Sequence, residues 1–169
     1  MSASSNSVWK QWVWPSLDLA ARWYLGGIFI FAAVGKIADP YSFAVSIASY
    51  QIIPNALINL MAIILPWFEI IVGSLLVLGI QSRAQALAIN GMMVMFTVAI
   101  IMALSKDLQM QCGCFASEEA AADISMMTVW RDLAWLAIGV FVYVANSSKF
   151  GIDGLWQRWQ NKKWEGIDE

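Results

Sequence analysis

The chain has 169 residues, the length of one domain, with 60% hydrophobic and only 13% charged residues. Soluble domains carry about 25% charged residues, so half that fraction leaves too little polar surface to cover a globule, and a lipid bilayer must cover it instead. A net charge of −2 with a sequence pI near 5.0 excludes the basic footprint of a nucleic-acid binder, and the absence of histidine excludes His-ligated haem and removes the commonest acid–base group of neutral pH.

Residues 1–16 form a Ser-rich tail followed by Trp9, Trp12 and Trp14 around Lys10, closing on Pro15-Ser16. Tryptophan favours headgroup depth, where its ring meets both phases, so this segment reads as an interfacial anchor. It lacks a basic region followed by an apolar stretch and a small-residue cleavage site; no cleaved signal peptide is expected, and the first membrane helix would serve for insertion. Ser16 is the predicted cap of that helix.

The predicted fold is all-α, a polytopic membrane protein built as a four-helix transmembrane bundle over residues 17–146 with short interfacial helices. The first span, residues 17–38, carries Arg22 near its start, Gly26-Gly27 for close helix approach, and Lys36 near its finish; Asp39-Pro40 ends it. Residues 41–55 are too polar to span, and Phe43, Val45, Ile47 and Ala48 predict a short helix lying on the membrane surface. The second span, residues 56–80, contains Pro66-Trp67-Phe68-Glu69, and a charge at the depth of Glu69 must face the bundle interior. After a turn at Gln81-Ser82-Arg83, residues 84–104 form a third span whose Met92, Met93, Met95 and Met102 read as packing material. A long segment, residues 106–128, precedes the fourth span at 129–146, which opens on Trp130-Arg131-Asp132. Residues 147–169 predict an interfacial helix with Trp156, Trp159 and Trp164 and a solvated end.

Four spans place both termini on one side. That side carries Lys10, Arg22, Arg83, Lys149, Arg158, Lys162 and Lys163, the other only Lys36, Lys106 and Arg131. Positive charge is retained in the cytoplasm, so the expectation is cytoplasmic termini and an outward-facing segment 106–128 in a bacterial inner membrane.

That segment holds the chain's two cysteines as Cys112-Gly113-Cys114-Phe115. Three chemistries compete for them. A structural disulfide would close a very small ring, geometrically strained and tolerated best with glycine between. A metal site would be half filled by two sulfurs. Redox exchange suits a strained, reducible bond in a compartment where disulfides persist. A cycling thiol needs a stabilising cation, and Lys106 and Arg131 flank the segment. Glu69 needs a partner as well; Arg22, in the same half of an antiparallel neighbour, is the expected one. The functional alternative sets Glu69 beside a quinone headgroup or a proton path.

The chain resembles the DoxX-like membrane proteins, most closely their MauE branch, over residues 17–144. The resemblance rests on Arg22, Gly26-Gly27, Gly35-Lys36, Asp39-Pro40, Phe43, Tyr50 and Pro54. It continues through Leu65-Pro66-Trp67 with Glu69 and Gly73, Cys112-Gly113-Cys114-Phe115, and Trp130-Arg131-Asp132. Ala116 follows where the pattern usually has glycine. The resemblance implies a four-helix bundle linked to forming or maintaining disulfides in a periplasmic dehydrogenase subunit, beside a thioredoxin-like protein. More distant DoxX relatives imply sulfur-compound oxidation feeding quinone. The expected function is therefore a membrane thiol–disulfide redox protein using Cys112 and Cys114, with Glu69, Arg22, Arg131 and Lys106 as supporting charges or quinone contacts. The alternative is a non-catalytic subunit of a larger membrane redox complex, docked through its Trp-rich ends.

Overall fold

A computed structural model describes residues 13–106 and 126–145. Within them the chain forms five helices and no strand: α1 (Trp14–Ala38), α2 (Pro40–Ser49), α3 (Asn55–Leu78), α4 (Ser82–Ser105) and α5 (Met126–Ala145). All but α2 are long and apolar enough to cross a membrane; at 1.5 Å per residue, 20 to 25 residues match a hydrocarbon core of about 30 Å. The four-span expectation holds, and the protein is a multi-pass membrane protein.

The helix ends follow local chemistry. α1 starts before the expected Ser16 cap: Val13 is the N-cap, Pro15 occupies the first turn, and the Ser16 hydroxyl donates to the Val13 carbonyl at 2.9 Å. Asp39 ends α1 and caps α2. Its Oδ1 accepts from the Ser42 N–H at 3.0 Å, its second oxygen accepts from the Ser42 hydroxyl, and Pro40 opens the helix. These hydrogen bonds, that from the Ser42 side chain first, hold the Asp39 carboxyl below the usual carboxylate range. Gly79 closes α3 with a left-handed φ of 70° while the Ile80 N–H reaches the Leu75 carbonyl at 3.0 Å, the double hydrogen-bonded stop that favours glycine. The turn is thus residues 79–81; Ser82 and Arg83, expected in it, already belong to α4.

α2 is the expected surface helix, but its buried stripe is narrower. Phe43 and Ile47, one turn apart, pack on Ile58 and Ala62 of α3. Val45 and Ala48 are exposed, because they project roughly 120–180° round the helix from that pair.

The long helices form a four-sided bundle, with α1 against α3 and α5, and α4 against α3 and α5. Neighbours are antiparallel. Along α1 and α3 the contacts run from Gly26 beside Gly73 and Val77 to Lys36 beside Glu69. Along α1 and α5 they run from Trp14 against Phe141, with ring centroids 5.5 Å apart, to the Trp135 Nε1–H donating to the Tyr24 hydroxyl at 3.4 Å. At the α1–α3 crossing a Cβ on Gly26 would lie 2.6 Å from Val77 Cγ2 and 2.8 Å from the Gly73 carbonyl oxygen, so glycine is what lets the backbones touch. Gly27, the other half of the expected pair, faces open space. Leu25, Phe29, Val72, Leu76, Ile89 and Met92 fill the core, while Trp23, Phe31, Ile63, Trp67, Leu87 and Trp130 project outward, as lipid requires. α3 runs unbroken through Pro66, which is buried, so the Ala62 carbonyl that it cannot bond faces protein rather than lipid.

Candidate functional site

The bundle end that carries α2 receives the C-termini of α1 and α4 and the N-termini of α3 and α5. Side chains on a helix lean toward its N-terminus. Lys36, near the end of α1, therefore leans inward, and Glu69, on antiparallel α3, leans back toward the α2 end. The two meet: Lys36 Nζ donates to both Glu69 oxygens, at 2.7 and 2.9 Å, with the residues only 4% and 1% exposed.

This corrects the expected Arg22–Glu69 pair. Arg22 has the same lean toward the start of α1, which takes it away from Glu69 and onto Asp18 one turn earlier, and both are buried. Since Gly26 sits level with Gly73 and Val77, Arg22 is about ten residues of helix rise from Glu69, roughly 15 Å. The Asp18–Arg22 spacing of four was readable in the sequence. Lys36 is legible in the sequence only as an end-of-helix cation, because its meeting with Glu69 depends on the register of α1 against α3.

Two aromatic faces complete the ammonium's surroundings. Lys36 Nζ lies 5.0 Å from the Phe43 ring centroid and 5.1 Å from that of Phe96, within the reach of a cation–π attraction. A cavity of about 40 Å³ adjoins the pair, lined by Lys36, Glu69, Phe96, Asp132 and Trp135 among others. That is room for roughly two or three waters, and it joins contributions from all four spans.

Asp132, 2% exposed, is the second carboxylate of this cavity. It accepts from its neighbour Arg131 at 3.2 and 3.3 Å, and the Arg131 guanidinium lies 4.8 Å from the Trp135 ring centroid. Arg131, expected as a cation for the thiols, is thus engaged beside Asp132 at the bundle end. Lys106, the other expected cation, is the exposed C-cap of α4. Tyr50, at the end of α2, packs against the cluster of Ile100 and Ala103, as does Val129 of α5. Burial first, and the nearby Asp132 charge second, push its phenol up to about 12, so it stays neutral across physiological pH. The sequence offers Asp132 as part of the polar start of the fourth span and Tyr50 as a point of family resemblance, but no spacing in it brings residues 36, 50, 69 and 132 together.

Cys112 and Cys114 lie outside the described residues, as do Trp9, Trp12 and the Trp-rich residues 147–169. The segment that bears the cysteines departs after Lys106 and returns at Met126, both at the α2 end.

A bundle of four spans that buries the Lys36–Glu69 pair and Asp132 toward its α2 end and the Asp18–Arg22 pair toward the other defines a small integral membrane protein with a charged interior. The chain matches the family model described as Methylamine utilisation protein MauE over residues 14–145, from the first turn of α1 to the last of α5, and it belongs to that family. Methylamine utilization protein MauE of Methylophilus methylotrophus is 25% identical over 130 residues, covering 76% of this chain and 68% of that protein. The protein of the same name from Paracoccus denitrificans is 26% identical over 129 residues, covering 76% and 69%. No solved structure matches the chain.

Proposed function

We propose that the protein is a membrane thiol–disulfide redox component of methylamine utilisation. Cys112 and Cys114 exchange with a periplasmic thioredoxin-like protein or directly with a dehydrogenase client, and the electrons pass to or from quinone in the membrane. The proposed setting is the bacterial inner membrane, with both termini cytoplasmic and the cysteine segment periplasmic.

One observation carries the reading. The cysteine-bearing segment is tethered at both ends to the end of the bundle where Lys36, Glu69 and Asp132 line a water-sized cavity and Tyr50 lies nearby. Buried ionisable groups in a membrane are costly and mark sites of proton or substrate handling. Thiol oxidation releases two protons with its two electrons, and carboxylates facing a water-sized cavity suit their transfer. Arg22 and Lys36 are both buried in ion pairs, which removes one residue from each side of the basic count and leaves its bias toward cytoplasmic termini.

The test is a Cys112→Ser, Cys114→Ser double variant, expressed in place of the native chain, with client disulfide content read by mass-shift alkylation. The expected outcome is loss of client disulfides at normal membrane levels of the variant. Full client oxidation by the double variant refutes the redox reading and leaves the accessory-subunit role.

A further inference from the structure

A second cavity, of about 510 Å³, opens between α2, α3 and α4. It faces the membrane: its lining residues Leu57, Met95, Val98 and Met102 are each between 37% and 46% exposed on the outer surface of the bundle. Its size falls within the range of small-molecule sites, about 300–1,000 Å³. No charged residue lines it, and the polar lining is limited to Ser46 and Tyr50. On its inner side Phe43 and Phe96, the two rings that flank Lys36 Nζ, separate it from the ion pair.

The walls define the occupant by chemistry. An uncharged cavity open to lipid does not admit a nucleotide carrier. A dithiol going to a disulfide gives up two electrons and two protons, and the chain has only two cysteines, so no second thiol pair can store them. A cyclic dione takes up two electrons and two protons to become a diol, and both forms are neutral. The balance is dithiol plus dione giving disulfide plus diol, with nothing left over.

We propose that this cavity binds a lipid-soluble dione of the quinone class, its ring against Phe43 and Phe96 and its tail leaving between α3 and α4. The site rests on the redox reading above and gives it a location for the electron carrier. Met102 lies one turn before Lys106, so the cavity wall ends one turn short of where the cysteine-bearing segment departs. Met61, Met95 and Met102 supply an adaptable thioether wall for a flat ring.

The experiment uses the full chain in nanodiscs and an azido-benzoquinone with a decyl tail as a photolabel. Label is expected on peptides containing residues 52–61 and 95–102, displaced by unlabelled decyl-benzoquinone but not by decanol. Ala99→Phe, which fills the cavity from α4, is expected to cut labelling about tenfold, the factor that roughly 1.4 kcal/mol of binding gives. Leu87→Phe, on the lipid face of the same helix, is expected to leave it unchanged. Should Ala99→Phe not fold, Ala99→Leu makes the same comparison with less bulk. Displacement by decanol as well as by the dione would assign the cavity to lipid chains and overturn the proposal, as would labelling that survives the filling variant. The Cys112→Ser, Cys114→Ser protein separates the two readings. Specific, cavity-dependent labelling of that variant, beside wild-type thiols that quinone never oxidises, keeps the site and sinks the redox role. Thiol oxidation by quinone that persists with the cavity filled keeps the redox role and sinks the site.

Discussion

Moving an ammonium and a carboxylate out of water costs several kcal/mol per ion even after relaxation. Lys36 and Glu69 offset that cost with two short hydrogen bonds and two aromatic faces on the cation. Removing one partner strands the other. Lys36→Met is predicted to destabilise the bundle by about 3–5 kcal/mol, and Lys36→Met with Glu69→Leu to regain most of that loss. Reversible denaturation of the four proteins of the cycle in mixed micelles reads both numbers; a Lys36→Met variant as stable as wild type would contradict the pairing. Tyr50 gives a pH signature of its own. Its folded phenol ionises near 12 while the unfolded one ionises near the ordinary value of about 10. An acid whose folded pKa is raised contributes fully below the unfolded value, so stability should fall as pH rises from about 10 to 12. Tyr50→Phe should flatten that fall, and the 295 nm titration difference between the two proteins should centre near 12.

At the scale of the elements, the α1–α3 crossing is set by Gly26 and Gly73 and in turn sets the register that lets Lys36 reach Glu69. Gly26→Ala forces a methyl against the Gly73 carbonyl oxygen and is predicted to cost about 1–3 kcal/mol, the usual price of overpacking. Gly27→Ala meets nothing within 4 Å and should leave stability within about 0.5 kcal/mol; thermal unfolding of the two variants in detergent separates these cases. The sequence showed a Gly-Gly pair but not which glycine faces a neighbour, because helix phase is decided by packing against a partner helix. Span existence was legible from apolar runs of 20 or more residues. The caps were less so: Asp39-Pro40 marked its boundary, while the start of α1 lies ahead of Ser16 because Pro15 is equally at home inside a first helical turn.

For the molecule as a whole, hydropathy alone dictated a four-span bundle, since a chain with 13% charged residues has no other way to cover its surface. The site was legible only as parts. Glu69 announced itself as a charge in mid-span and Arg131-Asp132 as a polar start to α5, but their convergence with Lys36 and Tyr50 depends on antiparallel registers that sequence spacing does not encode. The cation expected for Glu69 was wrong for that reason. The convergence matters because one end of the bundle then holds the Lys36–Glu69 pair, Asp132, the apolar cavity between α2, α3 and α4, and both tethers of the cysteine-bearing segment.

The most direct test of this account is thiol trapping of Cys112 and Cys114 in intact spheroplasts, using a membrane-impermeant alkylating mass tag with quinone or quinol added. The account predicts labelling from outside only after mild reduction, and loss of labelling when quinone is restored. Thiols that stay free whatever the quinone state, or that are reached only once the membrane is opened, would contradict it.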